Sequence, residues 1–193
     1  MSRFPPTEPL ALSRRGLASV EFALVAPFIL MLMLAGADLT IFMRTKLRID
    51  ETATQVALDV TQYNNLYDSD FTGLYNAAQT VAGTTPVTGV LGTTIITGMI
   101  NSSGKQTIAW QKRSPSATFN SLFGAAGATP VLPASYVLPS GGVLIGVEVF
   151  TTASPWVLSA GLMGAGPTSS LRAYVLFQPR LGSLATVNSG TRP

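Results

Sequence analysis

One carboxylate in this chain stands where a charge is hardest to accommodate. Glu21 adjoins residues 22–37, sixteen consecutive positions without a charged or polar side chain. An acid beside such a segment is costly unless it has a partner or a task. The chemistry that Glu21 offers is therefore ion pairing, and of the nine acidic residues it alone is hard to explain as solvated surface.

Other chemistry is scarce. The 193-residue chain contains no cysteine and no histidine, which excludes zinc sites built on those ligands, thiol nucleophiles, Ser-His-Asp triads and disulfides. Residues 68–70 (Asp-Ser-Asp) begin like a calcium loop but lack its downstream glycine and glutamate. The net charge of +3 is too small and too scattered for a nucleic-acid surface. We expect a protein that is not an enzyme and uses no cofactor or metal.

The apolar run predicts a membrane-spanning helix. Only 11% of all residues are charged, against about 25% in typical proteins. A spanning helix needs about 20 predominantly apolar residues, and residues 17–43 supply them. Residues 22–37 are apolar without an amphipathic stripe, which makes a core helix the weaker interpretation. Basic residues flank both ends, so their number does not fix the orientation; we expect a cytoplasmic N-terminus and an exported C-terminal domain.

Three simpler interpretations of the N-terminus stay open. Residues 35–37 (Ala-Gly-Ala) match a secretory cleavage site, which would make residues 1–37 an ordinary export signal. Residues 13–17 partly fit a twin-arginine signal. A plain membrane anchor is the third interpretation. Glu21 weighs against all three, because none of them gives the carboxylate a task.

The stretch Arg-Arg-Gly-Leu-Ala-Ser-Val-Glu-Phe at residues 14–22 resembles a type IV prepilin signal. Two basic residues precede a glycine, the glycine adjoins the apolar run, and an acid follows five residues later. The resemblance implies that a membrane-embedded aspartic peptidase cuts between Gly16 and Leu17 on the cytoplasmic side and leaves the apolar segment on the mature protein. The residues implied for recognition and assembly are Arg14, Arg15, Glu21 and Phe22.

The spacing within this motif has a physical consequence. Cleavage after Gly16 would create an ammonium group on Leu17, one helical turn from Glu21 and on nearly the same face. Opposite charges attract strongly where the dielectric is low, and a buried charge with a partner is tolerated where an orphan is not. The resemblance implies that the acid pairs with an N-terminal amine, its own or a neighbour's, during assembly.

Residues 14–36 resemble the TadE-like family of minor pilins (pseudopilins) of the tight-adherence, or Flp, pilus system. The closest stretch is Glu21-Phe22 followed by Ala-Leu-Val-Ala-Pro at residues 23–27. The major Flp pilin is much shorter and usually carries Glu-Tyr, and TadG-like proteins are usually longer. The resemblance implies an inner-membrane, single-pass protein that takes part in assembling or initiating an adhesive pilus. The implied partners are the prepilin peptidase, other minor or major pilins, the pilus assembly platform and the lipid bilayer.

The elements that must position this motif form a stem. Pro27 should kink the spanning helix, since proline is tolerated in membrane helices. Residues 44–62 predict an amphipathic extension, whose buried face is marked by Ile49, Ala53, Val56 and Val60. The stem is then either one continuous helix over residues 17–61 or two helices broken near 43–46.

The remaining sequence predicts an α+β, pilin-like fold in which the stem helix packs on a small, mainly antiparallel β-sheet. Strand patterns occur at residues 93–100 and 105–112, which form a hairpin, and at 142–151 and 171–178. Irregular structure is expected over residues 62–92, and a surface loop over 115–141 with a helical turn near 119–126. Residues 154–166, an apolar stretch rich in small residues, could pack on the membrane surface, on another subunit or in the domain's own core, and the core is the default expectation.

The expected organisation has five parts along the chain. They are a cytoplasmic leader (1–16), a transmembrane helix (17–43), an amphipathic helix extension (44–62), an exported, mainly β domain (63–180) and a flexible tail (181–193). The alternative to a minor pilin is a secreted or membrane-anchored binding protein with an ordinary N-terminal export signal.

Overall fold

A computed structural model of the chain describes residues 14–133, 136–153, 169–180 and 184–192. The segment 154–166, expected in the core, lies outside these residues. In chain order the described elements are α1 (Arg14–Thr61), β1 (Leu66–Tyr67), α2 (Asp70–Ala82), β2 (Gly92–Ser102), β3 (Lys105–Arg113), β4 (Val143–Ala153), β5 (Ser169–Phe177) and β6 (Val187–Asn188). This is the α+β architecture, with a long N-terminal helix, that the sequence predicts.

The first helix is continuous. α1 runs for 48 residues without the break near residues 43–46 that the sequence left open, and at 1.5 Å per residue it is about 70 Å long. Pro27 lies inside the helix and does not end it. The last turn tightens, with the Gln62 amide donating to the Asp59 carbonyl oxygen at 3.2 Å.

The two halves of α1 meet different surroundings. The second half contributes five fully buried residues to the core, Ile49, Ala53, Val56, Ala57 and Val60, four of which are those that the helical spacing predicts. The first half is largely exposed, with aromatic and aliphatic side chains on its surface. Burial of the second half alone therefore fixes the domain to the helix, since apolar area removed from water stabilises the packed state.

The expectation of irregular structure over residues 62–92 is wrong, because α2 occupies Asp70–Ala82. The Asp70 carboxylate lies in its first turn and accepts a hydrogen bond from the Tyr67 amide at 3.0 Å, a favourable position against the helix dipole. The helix ends at Gly83, whose φ of 61° is in the left-handed region. Its buried face comprises Phe71, Leu74, Tyr75, Ala78 and Ala82. That spacing is helical, and the Asn, Thr and Gly content of the segment concealed it.

The four long strands form one antiparallel sheet in the order β3-β2-β4-β5. The predicted hairpin is confirmed, and Ser103 and Gly104 make its two-residue turn between the paired Ser102 and Lys105. Both turn residues have positive φ, 54° and 84°, as a type I′ turn requires. The two later predicted strands are also confirmed as β4 and β5.

One face of this sheet packs on both helices. Val147 and Val149 of β4 join residues of α1 and α2 in the main core cluster. Trp110 of β3 belongs to the same cluster, and its ring meets that of Phe71 edge to face with centroids 5.7 Å apart. Alternate residues of each strand supply this face, so the sheet and the stem share a single core.

The other sheet face is covered by the connection between β3 and β4, which we call the cover loop (residues 114–142). Phe123 and Leu138 of the loop pack with Leu144 in a second core cluster. A Cβ atom on Gly146 would lie 2.8 Å from Phe123 Cε2, so the absence of a side chain there lets the loop approach. The expected loop is confirmed, but the expected helical turn over residues 119–126 is wrong. Several prolines and glycines favour turns, and the loop gains its order from the sheet beneath it.

The end of the chain is not a free tail over residues 184–192. β6 pairs in parallel with β1 through Val187 and Leu66. Leu184 is 3% exposed, and its carbonyl oxygen accepts a hydrogen bond from Trp110 Nε1 at 2.9 Å. The Arg192 guanidinium lies 3.4 Å from an Asp70 carboxylate oxygen. Terminal segments lie free only where nothing ties them down, and here buried contacts do.

Glu148 is an acid that the fold removes from water. Glu148 lies beneath the cover loop and is fully buried, which corrects the expectation that it is solvated. Arg172 of β5 donates to its Oε1 atom through Nε (2.9 Å) and Nη2 (2.6 Å). The loop completes the site, with the Leu122 amide donating at 3.0 Å and the Ser121 hydroxyl donating to Oε2. The carboxylate thus fastens the cover loop to the sheet.

This ion pair yields a test. We expect Arg172→Met to lower the free energy of unfolding by about 3 kcal/mol, because it leaves the Glu148 charge buried without its main partner. Adding Glu148→Leu should recover a large part of that loss, since it removes the orphan charge. The measurement is denaturant unfolding of the full chain in detergent, followed by tryptophan fluorescence.

The matched control is Arg113→Met, at an exposed arginine of the same sheet, which should change the free energy of unfolding by no more than about 0.5 kcal/mol. Equal losses in the Arg172→Met single variant and in the double variant would show that the two side chains do not act as a pair.

Candidate functional site

The motif residues begin the first helix. The backbone of Arg14, Arg15, Gly16 and Leu17 is helical and continues without a break into the apolar segment. Because Leu17 and Glu21 are four residues apart in one helix, they occupy neighbouring positions on the same face. The spacing used in the sequence argument therefore matches the backbone geometry.

Glu21 and its neighbours lie on the surface of the chain. Glu21 is exposed, and Phe22 next to it is 70% exposed. The surrounding large apolar side chains that are also exposed include Leu24, Val25, Phe28, Leu30 and Leu32. A contiguous apolar surface of this kind marks a site of contact with a membrane or with other protein surfaces.

The helix has the length and composition of a membrane span. Over Ala18–Thr61 it contains an 18-residue window that is apolar enough to cross a bilayer, and none of that window is buried in the fold. Its backbone hydrogen bonds are satisfied within the helix, which is the condition for crossing hydrocarbon. An unburied apolar helix near the N-terminus fits a single-pass membrane anchor.

Two basic side chains join the stem to the domain just beyond the apolar segment. Lys46 Nζ lies 2.7 Å from an Asp50 carboxylate oxygen and donates to the carbonyl oxygen of Arg172 at 2.8 Å. Arg48 Nη1 donates to the carbonyl oxygen of Ala82, at the end of α2, at 3.3 Å. A cation at a helix C-terminus is favourable against the helix dipole. These contacts hold the domain at a defined height along the stem, and sequence reasoning missed them.

The described residues contain no group of three or more carboxylates that could hold a metal ion. Burial raises the pKa of the Tyr75 hydroxyl well above its ordinary value, and the hydroxyl has no hydrogen-bond partner within the described part of the chain. A neutral, unpartnered phenol in the core serves packing.

An open cleft lies at the far end of the domain, where α1 ends. It is lined by residues that include Tyr63, Tyr67 and Arg192. The Arg192 guanidinium carbon lies 4.9 Å from the Tyr63 ring centroid and 5.8 Å from that of Tyr67. The arginine thus covers the aromatic faces itself, and Asp70 balances its charge. This arrangement fastens the chain end.

The N-terminal motif and the exposed half of α1 are therefore the candidate functional site. No curated protein and no solved structure matches the chain. Residues 16–58 match the family model described as TadE-like protein. That match begins at Gly16, includes Glu21 and Pro27, and ends within the buried part of α1. The stem of this chain is TadE-like, as its resemblance to that family indicated.

Proposed function

We propose that this protein is a minor pilin, or pseudopilin, of a tight-adherence (Flp-type) pilus system, and that it acts in assembling or initiating an adhesive pilus. One observation carries the proposal. A single unbroken helix bears the prepilin-like motif at its start, an exposed apolar half in the middle and a buried half that holds the folded domain. The match of residues 16–58 to the TadE-like family supports it.

The first step assigned to this chain is maturation. The prepilin peptidase cuts between Gly16 and Leu17, after the recognition residues Arg14 and Arg15, and leaves the apolar segment on the product. The peptide bond is hydrolysed, so Leu17 gains an ammonium group. That group lies one turn from Glu21 on an apolar helix surface, where water screens their attraction least.

The second step is assembly. Glu21 accepts the charge of an N-terminal ammonium group, its own or that of a neighbouring subunit, and Phe22 contributes apolar contact beside it. The pairing removes the cost of an unpartnered carboxylate in the bilayer. It also disfavours helices that dock out of register, because in that arrangement the Glu21 carboxylate has no ammonium partner. Pro27 adds a kink that shapes the packing of neighbouring stems.

The proposed setting follows from the same elements. Residues 17–43 cross the inner membrane once, the leader of residues 1–16 lies in the cytoplasm, and the α+β domain is exported to the periplasm or into the pilus. The partners are the prepilin peptidase, other minor or major pilins and the assembly platform. The domain offers a structural role, and no enzymatic step is assigned to it.

Maturation is tested at the N-terminus of protein purified from membranes of a host that contains the peptidase. N-terminal sequencing should give a mature chain that starts at Leu17. Gly16→Ala should abolish processing and leave a heavier product, because the motif requires the small glycine at the cut. The matched control Gly36→Ala, at an exposed helical glycine with open space around it, should leave processing unchanged.

A mature chain that starts at Asp38 would contradict this assignment and indicate an ordinary secretory signal that ends at residues 35–37. Processing of Gly16→Ala at the wild-type rate would show that the cleavage site is wrong.

The role of the carboxylate is tested by Glu21→Ala. The variant should insert and be processed normally but lose most pilus formation, because assembly then lacks the partner for the N-terminal ammonium group. Glu51→Ala, at an exposed acid of the same helix outside the apolar segment, is the control and should form pili. The measurement is the yield of sheared pili relative to the amount of membrane-inserted protein. Unchanged pilus yield for Glu21→Ala would refute the assigned role.

A further inference from the structure

The connection between α2 and β2 carries two exposed aliphatic residues on an ordered backbone. Val90 is 67% exposed and Leu91 is 59% exposed. The carbonyl oxygen of Val90 accepts a hydrogen bond from Thr118 Oγ1 at 3.0 Å, and that of Leu91 accepts one from the Thr152 amide at 2.9 Å. Their backbones are therefore held in place while their side chains face outward.

The level of this connection along the stem can be read from a chain of contacts. Lys46 Nζ donates to the Arg172 carbonyl oxygen at 2.8 Å. Arg172 is opposite Phe150, and Phe150 is opposite Thr93 in the adjacent strand. Thr93 thus lies across the sheet at the level of Lys46. Lys46 itself is three residues beyond residue 43, where the proposed membrane span of residues 17–43 ends.

The direction of the strands places Val90 and Leu91 on the membrane side of that level. The Arg180 amide, just after β5, donates to the carbonyl oxygen of Thr61 at the far end of α1 at 3.4 Å. β5 therefore runs away from the apolar segment, and β2 runs the same way, because each is antiparallel to β4. Residues that precede β2 consequently point back toward the membrane.

Distances agree with this placement. Lys46 is about 5 Å beyond residue 43 at 1.5 Å per residue, and Leu91 is about 7 Å back from Thr93 at the rise of a strand. These two steps nearly cancel, so the exposed aliphatic pair reaches the level at which the proposed membrane span ends. That level is the headgroup layer, which extends about 5–7 Å beyond the hydrocarbon core on each side.

Basic and acidic side chains both occur at this end of α1. Arg44 and Arg48 are exposed one turn apart on α1 and lie on the same face. The contact of Arg48 with the Ala82 carbonyl oxygen brings this face to the start of the connection that carries Val90. Three acids are also present on this part of the helix: Asp38 is half-buried, the Asp50 side chain is 48% exposed and lies 2.7 Å from Lys46, and Glu51 is exposed one turn beyond Arg48. Basic side chains beside exposed aliphatic ones are typical of surfaces that bind anionic membranes.

We propose that this end of the domain, the membrane-facing pole formed by Arg44, Arg48, Val90 and Leu91, docks on the surface of the bilayer that its own stem enters. The aliphatic side chains enter the boundary between headgroups and acyl chains, and the arginines bind anionic headgroups. The inference rests on the proposed membrane anchoring. Its consequence is a second attachment to the bilayer, which limits tilting of the stem and turns the opposite end of the domain outward.

The absence of cysteine permits a direct test by spin labelling of the full chain. Val90→Cys is compared with Val137→Cys, a valine that is 78% exposed on the part of the cover loop that meets Asn101, near the far end of β2. Leu30→Cys, in the apolar segment, reports on membrane insertion. Each labelled variant is reconstituted into vesicles of phosphatidylethanolamine and phosphatidylglycerol. Collision rates with oxygen and with a water-soluble nickel chelate are then measured by electron paramagnetic resonance.

The ratio of the oxygen collision rate to the nickel collision rate should be several-fold higher for the label at position 90 than for the label at position 137. Adding Arg44→Gln, or replacing the anionic lipid with phosphatidylcholine, should reduce the difference.

Water-like collision rates at position 90 with lipid-like rates at position 30 would overturn the docking while the anchor stands. Shielding of position 90 from both reagents would indicate that protein covers this residue, and this result would also overturn the docking on the bilayer. Water-like rates at position 30 would refute the anchor, and the docking with it.

Discussion

The constraint on which this structure depends is that one unbroken helix must satisfy two different surroundings. Over its first half α1 exposes a continuous apolar surface, and over its second half it buries one face beneath a sheet and a second helix. A helix can do both because its backbone hydrogen bonds are internal in either medium. The domain is therefore carried at a fixed height, and the contacts of Lys46 and Arg48 set that height.

Glu148 and Glu21 both have apolar surroundings, and they obtain their charge partners in different ways. Glu148 is fully buried, and the chain itself supplies Arg172, the Leu122 amide and the Ser121 hydroxyl as partners. Glu21 stands on the exposed apolar half of α1. In the proposed function its partner comes from a processed N-terminus, so the same physical rule stabilises the fold at one acid and directs assembly at the other.

Local patterns in the sequence were sufficient for much of this fold. Strong alternation predicted β4, and the apolar spacing in residues 49–60 predicted the buried face of α1. α2 was missed because its Asn, Thr and Gly residues weigh against a helix, although Phe71, Leu74 and Ala78 have helical spacing. The order of the cover loop and of the chain end could not be predicted, because it arises from long-range contacts such as that of Trp110 with Leu184.

In the candidate site, too, features that form a local pattern could be predicted from the sequence, and features that depend on long-range contacts could not. Gly16, Glu21 and the apolar run form a local pattern, so the sequence alone located them. The partner of Glu148 lies 24 residues away in the chain, and the contact of Lys46 with Arg172 joins positions 126 residues apart. No local rule connects such positions. The membrane-facing pole likewise emerged only when the direction of β2 relative to the stem was known.

Continuity of α1 is the claim on which the anchor, the fixed height of the domain and the docking pole all rest. Its most direct test is the distance between spin labels at Leu30→Cys and Gln55→Cys, two exposed helix positions on either side of residues 43–46, in vesicles. A continuous helix predicts a narrow distribution near about 38 Å between the two backbone positions, from 25 residues at 1.5 Å each. A broad distribution, or one centred well below that distance, would contradict the single rigid stem.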